Sequence, residues 1–208
     1  MTSKDTLLNA LRQRIQKAHE AILKEKQRIE AFGSKTVGEI RSMKTEDQAV
    51  YLQVDGYRKD RIKGLTDLSA SPFFAKCVLQ RISDDGAKEY YFGKHSLPDE
   101  DIYSWVAPLA ATRFEEPGDI SYKLPGNKIV QAKLISKDQY MIVDGKGIFY
   151  ATEGIGEPRT LIHQEHFSNR KSSFILPEIV AVMEKAQDKV IRADHKGAFA
   201  IRGPAGSG

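Results

Sequence analysis

Residues 5 to 32 place apolar side chains at steps of three and four: Leu8, Leu11, Ile15, Ala18, Ile22, Ile29 and Phe32, interrupted by the charged Glu25. That spacing is a heptad seam on one helix. At about 1.5 Å per residue such a helix extends roughly 40 Å, too long to be enclosed by a small domain. It requires a partner helix, and residues 47 to 68 supply one, with Val50, Val54, Tyr57, Arg61 and Leu68 at similar steps and Leu65 adjoining. Between them, FGSKTVGEIRSMKTED holds two glycines. Thr45 with Glu46 and Asp47 marks a helix start, by capping and by favourable charge at the amino end. The expected arrangement is an antiparallel helical hairpin, a coiled-coil arm of residues 1–70 projecting from a body.

From Ser71 the period shortens to that of strands. KCVLQRIS, a DDG turn and KEYYFG read as a hairpin. Further strands are expected in IYSWVAPLAATRF, DISYKL, KIVQAKLIS, QYMIVD and GIFYATEG, separated by EEPG, PGN and DGKG turns. Residues 71–160 thus read as a small antiparallel β region. Around Ser172 helical spacing returns, with Phe174, Ile175, Ile179, Val182, Met183, Ala186 and Val190 on one side. Pro177 falls in the first turn, where proline is tolerated. HKG ends this helix and AFAIR reads as a short buried strand. The fold class expected is α+β.

The 208 residues accommodate one domain with an appendage or two small domains. The longest apolar runs, near Trp105–Ala111 and Phe174–Met183, fall short of the roughly 20 residues that a membrane span needs, so no membrane partner is expected. The amino terminus lacks an export pattern, and the single cysteine, Cys77, excludes an internal disulfide and fits a reducing cytoplasm. Within FFAKCVLQ that thiol reads as structural and not nucleophilic. The net charge of +4 is concentrated: residues 1 to 70 hold 14 Lys and Arg against 10 Asp and Glu, and the remainder is balanced at 18 against 18. A basic arm suits nucleic-acid phosphates or an acidic protein surface, and equally an ordinary solvated helix face.

The residues that carry chemistry are the last six. Gly203, Pro204, Ala205, Gly206, Ser207 and Gly208 follow the apolar strand AFAIR and spell G-x-x-x-x-G, the opening of a phosphate-binding loop. Glycines there let successive backbone N–H groups turn toward phosphate oxygens. The next two positions of such a loop are Lys, which offsets charge on the β and γ phosphates, and Ser or Thr, which holds magnesium. The expectation is a chain cut inside the loop and unable to hydrolyse ATP alone. The same six small residues also suit a flexible linker. Gln187 lies 16 positions before Gly203 on the expected helix, where its amide can pair with the edge of adenine.

The stretch EKAQDKVIRADHKGAFAIRGPAGSG resembles the glutamine motif and first phosphate-loop motif of superfamily 1 helicases of the UvrD and Rep group. SPFFAKCVL, IYSWVAPLA and QYMI are similar to the front end of HelD-type proteins, helicase relatives that bind bacterial RNA polymerase. Val106 stands where that family tends to carry arginine after the tryptophan. The resemblance implies that 161–208 starts a RecA-like P-loop motor domain in which Gln187 reads adenine and Gly203 to Gly208 wrap the phosphates of ATP with Mg²⁺. It further implies an ATP-dependent helicase whose hairpin enters an RNA polymerase channel, acting on nucleic acid, DNA in the first place. A polymerase-binding module without catalysis and an unrelated P-loop protein such as a nucleotide kinase are the other classes.

Weaker signals read as structural. His163, Glu165 and His166 adjoin in LIHQEHF but lack the further ligands of a metal site. Tyr90, Tyr91, Tyr103 and Trp105 suit base stacking or, by strand alternation, core packing.

Overall fold

The computed structural model of the chain describes residues 3–33, 35–82, 85–124, 126 and 128–164. The helix expected over 172–193 and the strand AFAIR lie outside the described residues. What is described is a mixed α+β fold in which amino-terminal helices precede one seven-stranded sheet.

The helices are α1 (Ser3–Ala31), a short α2 (Val37–Arg41) and α3 (Thr45–Ala70). Gly33, at φ 64, ends α1 in the left-handed conformation that its missing Cβ permits, its N–H returning 2.9 Å to Glu30 O. Thr36 and Glu39 then form a capping box that starts α2, a helix absent from the sequence reading although T-x-x-E was its signal. α3 begins at Thr45, which is its first residue and not its cap; Lys44 is the cap and makes no side-chain bond. Glu46 and Asp47 lie in the first turn, as expected.

Contacts between α1 and α3 pair ascending with descending numbers. His19 Nε2 lies 2.8 Å from Ser69 O, Glu25 lies 3.7 Å from Arg61, and Arg58 donates to Ile29 O at 2.9 Å and Gly33 O at 2.7 Å. The hairpin is therefore antiparallel, as expected. The residues α3 turns toward α1 match the expected seam in part. Arg61, Leu65 and Leu68 lie on the α1 side as expected, and Arg58 joins them, whereas Val50, Val54 and Tyr57 are 62%, 50% and 66% exposed, and Phe32, just past α1, is 80% exposed. The reason lies in length: α1 stops at Ala31, and the pairing of 19 with 69, 25 with 61 and 29 with 58 puts Val54 and Val50 opposite residues beyond that end. Arg58, on the same face as Val54, bonds Ile29 O and Gly33 O where α1 ends.

The strands are β1 (Ala75–Arg81), β2 (Lys88–Gly93), β3 (Ile102–Ser104), β4 (Gly118–Lys123), β5 (Ile129–Val143), β6 (Lys146–Gly154) and β7 (Glu157–Gln164). Their order is β3-β2-β1-β5-β6-β7, with β4 also paired to β5. The sheet is mixed and not wholly antiparallel, because β3 runs parallel to β2. A 3-10 turn at Pro98–Glu100, with Asp101 at φ 51, folds the connection tightly enough for Leu97 to bridge Ile102 and set that direction. The expected strand IYSWVAPLAATRF ends at Ser104, and Pro108–Phe114 is a 3-10 helix, its Thr112 hydroxyl bonded to Leu109 O at 2.8 Å.

KIVQAKLIS and QYMIVD, read as two strands, are the single strand β5. Its pairing with β1 skips Ile135, since Leu79 faces Leu134 and Val78 faces Ser136. This β-bulge reverses the alternation. Ala132 and Leu134, before it, join the core under the 3-10 helix with Cys77, Leu79, Phe92 and Ile120. Tyr140 and Ile142, after it, join the opposite core under the helices.

That second core is the root of the arm. Leu11, Ile15, Ala18 and Ile22 of α1 and Leu65 and Leu68 of α3 bury against Phe73, Tyr91, Tyr140 and Tyr150. The fit is close at Gly93, where an added Cβ would stand 2.4 Å from the backbone oxygen of Pro72. Gly93→Ala is expected to destabilise the chain by about 1–3 kcal/mol, because backbone cannot step aside as a side chain would. A urea midpoint equal to that of the native chain would contradict this.

Candidate functional site

Two places on the arm concentrate polar chemistry: its root on the sheet, and its tip. The root is organised by Asp138, 5% exposed in the middle of β5. Its carboxylate accepts from the Tyr140 hydroxyl at 2.7 Å and the Thr152 hydroxyl at 2.6 Å, and it pairs with Lys76 Nζ at 2.8 Å. Register explains the meeting, since Lys76 faces Asp138 across β1 and β5, and Thr152 faces it from β6. Tyr91 lies opposite Lys76 on β2 and donates to Glu89 at 2.8 Å. From above, Arg14 of α1 lays its guanidinium 4.4 Å from the Tyr91 ring centroid and pairs with Glu100 at 3.2 Å.

These groups border a cleft of about 360 Å³ between α1 and the sheet, yet each charge in it is answered from within the chain. Burial first, then the adjacent Asp138, pushes the Tyr140 and Tyr150 hydroxyls well up, and burial with Glu89 does the same to Tyr91. Burial opposes the charge of Lys76, but Asp138 and Glu89 outweigh it and hold the ammonium above its ordinary 10.5. Neither the phenols nor the amine is poised to exchange protons near neutrality. The root is a rigid mount. Cys77 is equally inert, its thiol pushed up to about 12 by burial, in keeping with the structural role read from its apolar run.

The tip is different. There the helices are joined by polar bonds and not by interlocking apolar side chains: Arg58 to the end of α1, and Lys35 N–H to Tyr51 Oη at 2.6 Å. A cleft of about 540 Å³ opens beside them, lined by the apolar Ile29, Phe32 and Val54.

Of the residues read from sequence as nucleotide-binding, Gln187, Gly203, Pro204, Ala205, Gly206, Ser207 and Gly208 all lie outside the described residues, as do Glu165 and His166. Among the described residues no three His, Cys, Asp or Glu side chains group as metal ligands. Tyr90 belongs to the core under the 3-10 helix, with Tyr103 and Trp105 packed against it, and Tyr91 belongs to the arm root. Sequence reasoning passed over Asp138, Lys76 and Arg58. The available signal was a charge inside an apolar strand for the first two, and for Arg58 its distance along the hairpin from the end of α1.

No helix among the described residues is long and apolar enough to cross a membrane. No protein-family model matches the chain, and no curated protein matches it in sequence.

Proposed function

We propose that the chain serves as the contact arm and mounting platform of an ATP-driven motor of helicase type, acting in the cytoplasm on nucleic acid, DNA in the first place, or on bacterial RNA polymerase. The observation that carries this reading is the arm. Its root is buried, yet beyond Ile22 and before Gly64 neither helix contributes a fully buried residue to the body. A stiff projection that supports no core is suited to reaching a partner. The sequence resemblance supplies the motor: Gln187 to read adenine, and Gly203 to Gly208 to receive the phosphates of ATP with Mg²⁺ through backbone N–H groups. Hydrolysis further needs a charge-offsetting lysine and a magnesium-holding hydroxyl after that loop.

Two measurements test the reading. A polypeptide of these 208 residues is expected to turn over ATP at background, with or without nucleic acid; stimulated turnover would reject the reading of Gly203 to Gly208 as the opening of a phosphate loop that needs a lysine after it. In a pull-down of RNA polymerase, the chain is expected to outperform a variant with residues 27–57 replaced by a short glycine turn. Glu25 and Arg61 lie 3.7 Å apart, so the turn closes a hairpin that keeps every fully buried residue of the root and loses only the partly buried Ile29 beside it. Equal retention by the two would reject the arm as the contact. A non-catalytic polymerase-binding module is the second reading, favoured by the same arm, which needs no nucleotide to bind; it predicts retention indifferent to ATP.

A further inference from the structure

The connection between β2 and β3, residues 94–101, grips both helices of the arm. Glu100 lies 3.2 Å from Arg14 and 3.0 Å from Lys17 of α1, and its backbone oxygen accepts from the same Arg14 guanidinium. On α3, Asp67 holds Lys94 and lies 3.2 Å from His95 Nε2, and Arg61 donates to Ser96 O at 2.8 Å. The connection is itself fastened to the sheet: Leu97 is buried, Ser96 Oγ accepts from the Ser104 N–H at 2.8 Å, and the Ser104 hydroxyl donates to Lys94 O at 3.1 Å. These grips straddle the place where the arm leaves the sheet. α3 ends at Ala70, whose carbonyl accepts from the Gly145 N–H at 3.0 Å. Arg61 lies roughly 13 Å before that end along the helix. Antiparallel pairing of His19 with Ser69 carries Arg14 past it, onto the Tyr91 ring of the sheet. Tilt of the arm in either direction therefore breaks one grip.

We propose that residues 94–101 are a latch that sets the angle of the arm on the sheet, and that release of its two carboxylates, Glu100 and Asp67, lets the arm pivot about Ala70 with its apolar root still packed. Apolar burial is non-directional, so it holds the helices down; charge-assisted hydrogen bonds have a fixed geometry and hold them at an angle. Both grips open to the surface, with the side chains of Lys17 at 66% and Asp67 at 33% exposure, so a charged partner or added salt can compete for them. The inference rests on the reading of the hairpin as a contact arm and adds the means by which its direction is held or freed.

The test is the distance between two spin labels on the full chain, read by pulsed electron paramagnetic resonance. The labels sit on cysteines introduced at two exposed positions, Leu52 toward the arm tip and Ser121 of β4; Cys77 is buried and takes none. Neither RNA polymerase nor ATP is present, so failure here is separate from failure of the pull-down. Leu52→Cys with Ser121→Cys should give one narrow distribution of distances. Adding Glu100→Gln with Asp67→Asn should widen it roughly twofold, because an arm freed of its latch samples an ensemble of angles. Hydrogen exchange across residues 11–22 should stay as slow as before, since the apolar root is intact. Glu46→Gln with Asp60→Asn removes the same charge at exposed positions away from the connection and should leave the distribution narrow. Three results overturn the proposal: a latch variant as narrow as the native chain, equal widening by the Glu46 and Asp60 changes, or faster exchange of residues 11–22 in the latch variant, which would make the two carboxylates supports of the fold.

Discussion

Asp138→Ala is expected to lower the unfolding free energy by about 3–5 kcal/mol, because it leaves the largely buried Lys76 with only the longer contact to Glu89 at 3.5 Å and removes the acceptor of the Tyr140, Tyr150 and Thr152 hydroxyls. Lys76→Met should cost less than half of that, since Asp138 would keep the Tyr140 and Thr152 donors at 2.7 and 2.6 Å. Denaturant unfolding of both variants measures the ratio. A loss below about 1 kcal/mol for Asp138→Ala would show that the pair is incidental. The pH dependence has a definite sign. Lys76 is raised in the folded chain, so its contribution is complete below the ordinary 10.5 and disappears as pH rises through the higher folded value. The native chain should therefore lose this stabilisation only above pH 10.5, and the Met variant should lack that alkaline step.

Phe73→Ala should be equally damaging, by about 3–5 kcal/mol, and damaging in a particular place. The ring is fully buried where the arm meets the sheet, edge-on to Tyr91 at 4.9 Å and Tyr140 at 5.4 Å, with the Arg14 guanidinium at 5.8 Å. Its removal opens a cavity in the core that α1 and α3 share with the sheet. Hydrogen exchange should accelerate across residues 11–22 of α1 before it does in the opposite core around Leu134. Unchanged protection of α1 would mean that the arm is held by its other contacts. Phe32→Ala, at the far end of the same helix, is expected within about 0.5 kcal/mol of the native chain, since its ring is exposed.

The contrast between these two phenylalanines shows how far pattern reading reaches. The heptad seam from Leu11 to Ile22 is a true inner face, and its length alone required a partner helix and a projection. Spacing continued the seam to Phe32, and nothing among the described residues buries it. A period states which residues share a side of a helix, not whether another surface lies opposite. On α3 the same limit left Val50 and Val54 exposed, because α1 ends at Ala31 and puts no helix opposite them.

In the sheet, most strands and their turns were legible because alternation and turn residues are local properties. The reversal of faces at Ile135 was not, since a bulge is defined by what the neighbouring strand leaves unpaired. For the same reason Asp138 read as one polar residue among several in SKDQY, although register sets it against Lys76 and Thr152 from two other strands. The parallel direction of β3 also followed from a closed loop and not from the residues of the strand. Local chemistry was sufficient for the two long helices of the hairpin and for most strands. Long-range pairing chose the reach of α1 along α3, the two cores and the buried ion pair, because each is an agreement between segments whose energies no single stretch of chain contains.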